Sequence, residues 1–182
     1  QAQIKLGYTP DYFAQNMVSK QTRTIAVLVP DINNPFFSEF IQGIEEVAYQ
    51  YDFIPLVYSA GTQNQKVNYY LKELVRRKVD GLILAVSGLD KQVLRQLASQ
   101  QMPYILLDQS EKQHQSDEIV VQDLIGGQLA TDYLIQQGHR KIGIVLPKQR
   151  AWNIEQRLLG YQKSLAAHDI DWQPPRVVET AF

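Results

Sequence analysis

The chain has no cysteine among its 182 residues, so it can form neither disulfides nor thiolate-bound zinc or iron–sulfur sites. It also lacks an excess of positive charge, because 18 Lys and Arg residues face 19 Asp and Glu residues. The whole-chain charge is therefore not that of a nucleic-acid-binding protein, which leaves room for a local basic patch. No apolar run reaches the ~18 residues of a membrane span, and residues 1–10 lack the layout of an export signal. We expect a protein of a reducing, cytoplasmic compartment without membrane segments.

The usual enzyme motifs are also missing. PDINNPFF follows the first apolar run where a dinucleotide-binding protein carries a glycine-rich turn, and neither G-x-x-x-x-G-K-[ST] nor G-x-S-x-G occurs. His114, His139 and His168 stand alone, without the spacing of a metal-binding pair. Asp108 and Asp123 each follow a predicted strand. They could be paired catalytic carboxylates, but strand-end Asp residues more commonly bind ligand hydroxyls or cap the next helix. The sequence predicts no enzyme activity, no metal and no cofactor.

Apolar patterning predicts alternating strands and helices. Thr24–Pro30 is almost continuously apolar, as in strands buried on both faces of a parallel sheet, and Phe36–Gln50 carries apolar residues at helical spacing. The other predicted elements are strands at 53–58, 81–86, 104–107, 118–122 and 141–146, and helices at 63–78, around 93–97, at 126–137 and at 153–167. This alternation indicates an α/β fold with a doubly wound parallel sheet, which binds ligands at the carboxyl ends of its strands.

Candidate ligand-binding residues lie where the first strand meets its helix. Asn33 and Asn34 could bond hydroxyls there, and the aromatic pair Phe36 and Phe37 could stack on a sugar ring or a base. The alternative is that both rings simply begin the helix and fill the core, and the spacing alone does not separate the two readings. Arg157, early in the last predicted helix, is either a solvated surface charge or a ligand contact.

Residues 1–23 differ from the rest of the chain. They hold Lys5, Lys20 and Arg23 against Asp11 alone, which gives a local charge of +2. A short helix-compatible run, Tyr12–Ser19, precedes the first strand. We interpret the segment as a linker that contains a helix, or as the tail of another domain.

Four sequence blocks resemble LacI/GalR-type bacterial transcription regulators. The first block is LGYTPDYFAQNMVSKQTRTIAVLVPDINNPFFSEFIQGIEEVA, and KVDGLIL, LIQQGHRKIGIV and RLLGY follow it in the order expected for the family. The resemblance covers essentially the whole chain. It implies a core similar to periplasmic sugar-binding proteins, built from two subdomains that close around a small effector, in a homodimer that binds operator DNA.

The resemblance also implies a division of the chain. Residues 1–22 would be the end of a DNA-binding headpiece and its hinge helix, 23–138 the N-terminal effector-binding subdomain, and 139–182 the start of a C-terminal subdomain. We therefore expect the chain to be part of a longer polypeptide.

For DNA binding, the resemblance places Ala14, Gln15 and Met17 on a hinge helix that enters the minor groove. The family commonly has an Ala-Arg pair there and then a Leu that wedges between base pairs. Gln15 replaces the phosphate-binding Arg, and Met17 is an acceptable wedge in place of Leu.

For the effector site, the resemblance matches Phe36 and Phe37 with the residue pair that opens the first core helix. Asp123 matches the Asp of the family's Asp-Asn step, although Leu124 replaces the Asn. Arg157 matches the Arg of the R-L-x-G-[FY] block, which often bonds the effector, and Asn153 lies one helical turn earlier on the same face.

Two functional hypotheses follow. The first is a transcription regulator, with repression the commoner outcome in the family, whose core binds a small carbohydrate or related metabolite. The alternative is a periplasmic-type solute-binding protein of a sugar transporter, which shares the core architecture. Such a protein would carry an export signal just before its first strand, where this chain has the hinge-like segment.

Overall fold

The computed structural model of the chain describes residues 21–61, 63–86, 89–109, 116–148, 150–171 and 177–180. These residues belong to two compact units, which divide between Tyr104 and Ile105. The predicted hinge residues Ala14, Gln15 and Met17 lie outside the described residues. The division at residues 22/23 and 138/139 stays a prediction.

The first unit is a parallel sheet with crossover helices. Its elements are β1 (Thr24–Val29), α1 (Pro35–Gln50), β2 (Ile54–Ser59), α2 (Asn64–Arg76), β3 (Gly81–Leu84) and α3 (Lys91–Ser99), followed by the first residue of β4 (Tyr104–Leu107). β1 lies between β2 and β3, with Thr24 opposite Ile54 and Ile25 opposite Gly81. Because β1 is central, Ala26–Val29 are fully buried, which explains the continuous apolar run.

Both faces of this sheet carry helices. In the strand order β2-β1-β3, the connection from β1 to β2 runs in one direction along the sheet. The connection from β2 back past β1 to β3 runs in the opposite direction. Since such crossovers are right-handed, α1 covers one face, and α2 and α3, which contact each other, cover the opposite face. The predicted doubly wound arrangement is confirmed in this unit.

The helices bury most of the apolar stripes that the spacing predicts, although Phe36 and Val47 of α1 are exposed. The buried residues are Phe37, Ile41 and Ala48 in α1, Val67, Leu71 and Leu74 in α2, and Val93, Leu94 and Leu97 in α3. α1 and α3 begin at side-chain caps, because Asn34 accepts a hydrogen bond from the Phe36 amide and Asp90 accepts one from the Gln92 amide.

The second unit continues β4 and adds two helices packed on each other. Its further elements are β5 (Asp117–Ile119), α4 (Asp123–Gln136), β6 (Ile144–Pro147), α5 (Trp152–Ala167) and β7 (Val177–Thr180). β4 pairs in parallel with β5, and β6 in parallel with β7. β5 is shorter than predicted, and β7 was not predicted. None of the helices in the described ranges is both long and apolar enough to cross a membrane.

α4 and α5 approach so closely that their backbones touch. A Cβ atom added to Gly160 would overlap the carbonyl oxygen of Leu124, and one added to Gly127 would overlap the carbonyl oxygen of Arg157. Only glycine allows this approach, because any other residue would push the helices apart. The contact sets the first two turns of α4 against the middle of α5.

Candidate functional site

Asp108 follows the last residue of β4 in an unusual backbone conformation. Its φ is +56°, in the left-handed region that Asp and Asn tolerate better than most residues. The Asp108 amide donates a hydrogen bond of 2.8 Å to the Ile119 carbonyl, which holds the residue against the end of β5. Its side chain is buried, with 8% of the residue surface exposed. A buried carboxyl thus lies at the carboxyl end of a parallel strand, where such folds bind ligands.

A second buried carboxyl begins α4. Asp123 is the first residue of that helix and only 4% exposed, and its Oδ1 accepts a hydrogen bond of 2.6 Å from Nε of Arg157. The ion pair is one-sided in its burial, because the Arg157 side chain is 49% exposed. The guanidinium therefore neutralises a buried carboxylate while part of it stays open to solvent.

Asn153 joins the first carboxyl to the same helix. Its Nδ2 donates a hydrogen bond to Oδ2 of Asp108, and its Oδ1 accepts one from the Ile154 amide. Asn153 and Arg157 are four residues apart on α5 and share a face. One face of α5 thus engages both carboxyls, the first through an amide and the second through a guanidinium.

The surroundings of Asp108 change its pKa. Burial, together with the negative charge of Asp123, raises the pKa of Asp108 to about 6. When protonated, Asp108 can donate a hydrogen bond to the Asp123 carboxylate, which raises this pKa further, whereas the Asn153 amide and the Arg157 charge lower it. Oδ1 of Asp108 and Oδ2 of Asp123 are buried, and no group in the described part of the chain donates a hydrogen bond to them. These oxygens are acceptors without donors, which a ligand hydroxyl would satisfy.

Arg157 also lines a cavity of about 350 Å³ in the second unit. The lining is otherwise mainly apolar and includes Gly126, Ala130, Leu134, Ile144 and Tyr161. Neither Asp108 nor Asn153 belongs to it. The polar cluster and this cavity therefore share one side chain.

Within the first unit, the aromatic pair divides its roles. Phe37 is buried, whereas Phe36 is 45% exposed, and the two rings meet edge to face with centroids 5.1 Å apart. Phe37 therefore fills the core, as one reading of the sequence predicts, whereas stacking of the half-exposed Phe36 ring on a ligand stays a prediction. The Asn34 side chain caps α1, and Asn33 bonds the Asp31 carboxylate through its amide and its Nδ2.

The structure brings together three of the predicted effector-binding residues, Asp123, Asn153 and Arg157. It adds Asp108, which the sequence analysis noted as a strand-end Asp but did not include in the site. The sequence signal that could have identified Asp108 is its position directly after the apolar run YILL, at the end of a predicted strand. The described residues contain no group of three or more His, Cys, Asp or Glu side chains placed to hold a metal ion.

Comparison with known proteins gives a consistent result. A family model described as periplasmic binding proteins and sugar binding domain of LacI family matches residues 22–180. The chain is 31% identical over 179 residues to a protein named HTH-type transcriptional repressor PurR from Aliivibrio salmonicida, covering 98% of this chain and 54% of that protein. It is 32% identical over 178 residues to the ribose operon repressor of Haemophilus influenzae, covering 98% of this chain and 53% of that protein. The chain spans about half the length of the curated relatives it matches.

Solved structures agree in fold. A LacI family transcriptional regulator from Enterococcus faecium with bound ribose superposes with a TM-score of 0.76 at 35% identity, over 87% of this chain and 57% of that one. A second, from Enterococcus faecalis with bound ribose, gives 0.73 at 37% identity over the same shares of the two chains. The predicted fold class, an α/β core of the periplasmic-binding-protein type, is confirmed. Because the family model matches nearly the whole chain, the protein belongs to the family of periplasmic binding proteins and LacI-type sugar-binding domains.

Proposed function

We propose that this chain is the effector-binding part of a DNA-binding transcription regulator, and that its effector is a small hydroxyl-rich molecule such as a sugar. The observation that carries the proposal is the convergence of Asp108, Asp123, Asn153 and Arg157. Two buried carboxylate oxygens there have no donor among the described residues, and the half-exposed Arg157 guanidinium is bonded to one of the two carboxylates. Sugar hydroxyls would supply donors to the carboxylates and accept from the guanidinium.

The relatives support a regulator over the alternative, a solute-binding protein of a transporter. The two relatives described above are named as repressors. The two solved structures described above, at 35% and 37% identity, are described as transcriptional regulators with bound ribose. The same relatives support a binding role, and not a catalytic one, for the paired carboxyls.

The proposed effector-binding residues are of two kinds, polar and aromatic. Asp123 and Arg157 bind ligand hydroxyls directly, and Asn153 orients the Asp108 carboxyl for the same task. Phe36 stacks its exposed ring on the apolar face of a sugar, with Phe37 packed edge to face against it. Polar groups that fix orientation, with an aromatic face for stacking, are the usual composition of a small-molecule site.

Control of DNA binding completes the proposal. Ala14, Gln15 and Met17 contact operator DNA in a cytoplasmic homodimer, and effector binding shifts the closure of the core and so the order of the hinge helix. If this is correct, Met17→Ala in the full-length protein weakens operator binding and leaves effector binding unchanged. Equal operator affinity of variant and parent would contradict the hinge assignment.

The effector site is tested by thermal unfolding of the full chain with ribose, a sugar phosphate and a purine base as probes. A ligand at about 100 times its Kd adds roughly 2.7 kcal/mol to the free energy of unfolding, which raises the Tm by several degrees. We expect ribose to produce this shift in the parent protein and Arg157→Ala to abolish it. Arg95→Ala is the matched control, because Arg95 is an exposed arginine in α3.

Two outcomes would contradict the proposal. An unchanged ribose-dependent shift in Arg157→Ala would remove Arg157 from the site. A shift with the purine base and none with any sugar would reject the carbohydrate assignment while keeping the binding role.

A further inference from the structure

The two carboxyls of the cluster have fewer partners than they need if both are charged. Asp108 and Asp123 are 8% and 4% exposed, and each has one oxygen to which no group in the described ranges donates. Arg157 is bonded to Asp123, and in the described part of the chain the one side-chain donor bonded to Asp108 is the neutral Asn153 amide. Two buried carboxylates beside one cation leave a negative charge in a poorly solvated place, which is costly.

Among the described residues of the elements that carry or pair with this cluster, no second cation faces the two carboxyls. On β5, which pairs with β4, the ionisable residues Asp117 and Glu118 are both acidic and both exposed. On α4 the group that faces Asp108 is Asp123, and on α5 the groups are Asn153 and Arg157. Within the described residues a proton is therefore the remaining way to balance the pair, and a protonated Asp108 can donate a hydrogen bond to the Asp123 carboxylate.

We propose that Asp108 and Asp123 share one proton in the ligand-free protein, and that a neutral ligand which donates hydroxyl hydrogens to both carboxylates releases this proton to solvent. The inference deepens the proposed function and rests on it. Ligand hydroxyls satisfy the two acceptor oxygens, so the ionised pair is favoured in the complex, whereas the shared proton satisfies them in the free protein. The bound ligand and the proton thus compete for the same two oxygens.

The competition has a definite direction with pH. Because burial raises the pKa of Asp108 to about 6 in the free protein, lowering the pH protonates the pair and opposes binding. Affinity for a neutral polyol should be about tenfold lower at pH 5 than at pH 7 and level above pH 7. Near pH 6 each binding event should release about half a proton. An anionic ligand would meet the ionised pair with repulsion, so the site favours a free sugar over a sugar phosphate.

The release step is tested by calorimetric titration of the full chain with ribose at pH 6, in two buffers that differ in ionisation enthalpy. The difference in observed enthalpy counts the protons released. We expect about half a proton for the parent protein and none for Asp108→Asn, which keeps an acceptor for Asn153 and cannot ionise. Asp169→Asn is the matched control, because Asp169 is an exposed Asp with a φ of +54°, close to that of Asp108. It should release as much as the parent.

The shared proton is tested separately, without ligand, by a carboxyl carbon NMR titration of the same three proteins. One carboxyl should titrate near pH 6 in the parent and in Asp169→Asn, and that titration should vanish in Asp108→Asn. No carboxyl titrating above about pH 5 would overturn the proposal, as would ribose binding without proton release. Failure of ribose to bind, together with a titration near pH 6, would reject the release step and the proposed sugar site but retain the shared proton.

Discussion

Two strand-to-helix junctions of this molecule satisfy their polar groups in different ways. At the β1–α1 junction of the first unit, Asp31, Asn34 and Ser38 bond to groups within six residues of themselves, and all three are exposed. In the cluster of the second unit, Asp123 bonds a residue 34 positions away and Asp108 one 45 positions away. Both carboxyls there are buried, and each has one oxygen to which no described residue donates a hydrogen bond.

The difference shows where a binding site can be sought. A junction whose polar groups are satisfied by neighbouring residues gains nothing from a ligand except contact. A cluster that is held by distant partners and still has acceptors without donors gains hydrogen bonds when a ligand supplies them. The polar side chains of the second junction depend on the long-range packing of α4 on α5, whereas those named at the first junction bond within the local sequence.

The largest predicted effect comes from breaking that packing. In Gly127→Ala the new Cβ would overlap the Arg157 carbonyl and lie 3.1 Å from the Arg157 Cα, both backbone atoms that cannot turn aside. We expect the free energy of unfolding to fall by at least about 3 kcal/mol, with loss of the Asp123–Arg157 ion pair. Urea unfolding measures the first effect, and the ribose-dependent thermal shift reports the second.

Gly126→Ala is the control for this substitution. Gly126 is the preceding residue of α4, and nothing lies within 4 Å of the position its Cβ would take. Because alanine favours helix over glycine by about 1 kcal/mol, this variant should be as stable as the parent or more so. Equal losses in the two variants would show that the helix contact is not what stabilises the cluster.

The second prediction concerns the pH dependence of stability. The folded-state pKa of Asp108 is raised from 3.8 to about 6, so the folded protein holds this proton more tightly than the unfolded chain. The resulting stability is fully present below pH 3.8 and is lost as the pH rises through 6, by up to about 3 kcal/mol. Asp108→Asn should lack this loss, so its stability relative to the parent should increase between pH 4 and pH 7.5.

Chemical unfolding of parent and variant at these two pH values measures the change directly. Asp169→Asn serves again as the control and should follow the parent, because it changes an exposed carboxyl in a similar backbone conformation. A constant difference between Asp108→Asn and the parent at both pH values would mean that Asp108 is ionised throughout, as an ordinary surface carboxylate is.

The comparison also explains which features the sequence could predict. The buried strand β1 and the stripes of α1, α2 and α3 depend on local periodicity, and the structure has them where the pattern places them. α4 was expected to begin at Gly126, yet it begins at Asp123. Gly127 is inside the helix for a reason that no local pattern contains, namely the approach of α5.

The same limit applies to the site. Asp123 and Arg157 were named through family resemblance, and their bond follows from a helix crossing between residues 34 positions apart. The contact of Asp108 with Asn153 was not predicted, because it requires the register of β4 on β5 and the α4–α5 crossing together. Val120 and Val121 were expected to extend β5, but both are exposed and neither pairs as a strand residue.

The smallest predicted effect tests the local junction. Asn34 is the N-cap of α1, and its Oδ1 accepts a hydrogen bond of 3.1 Å from the Phe36 amide. Asn34→Ala should lower the free energy of unfolding by about 1 kcal/mol, whereas Asn34→Asp and Asn34→Ser should recover most of it, since only an oxygen acceptor is required. At Asp123 no such exchange is expected, because Arg157 requires a charged partner there. If urea unfolding shows the three Asn34 variants to be equally stable, the cap is not what stabilises this junction. The contrast between locally and distantly satisfied polar groups would then not hold for the β1–α1 junction.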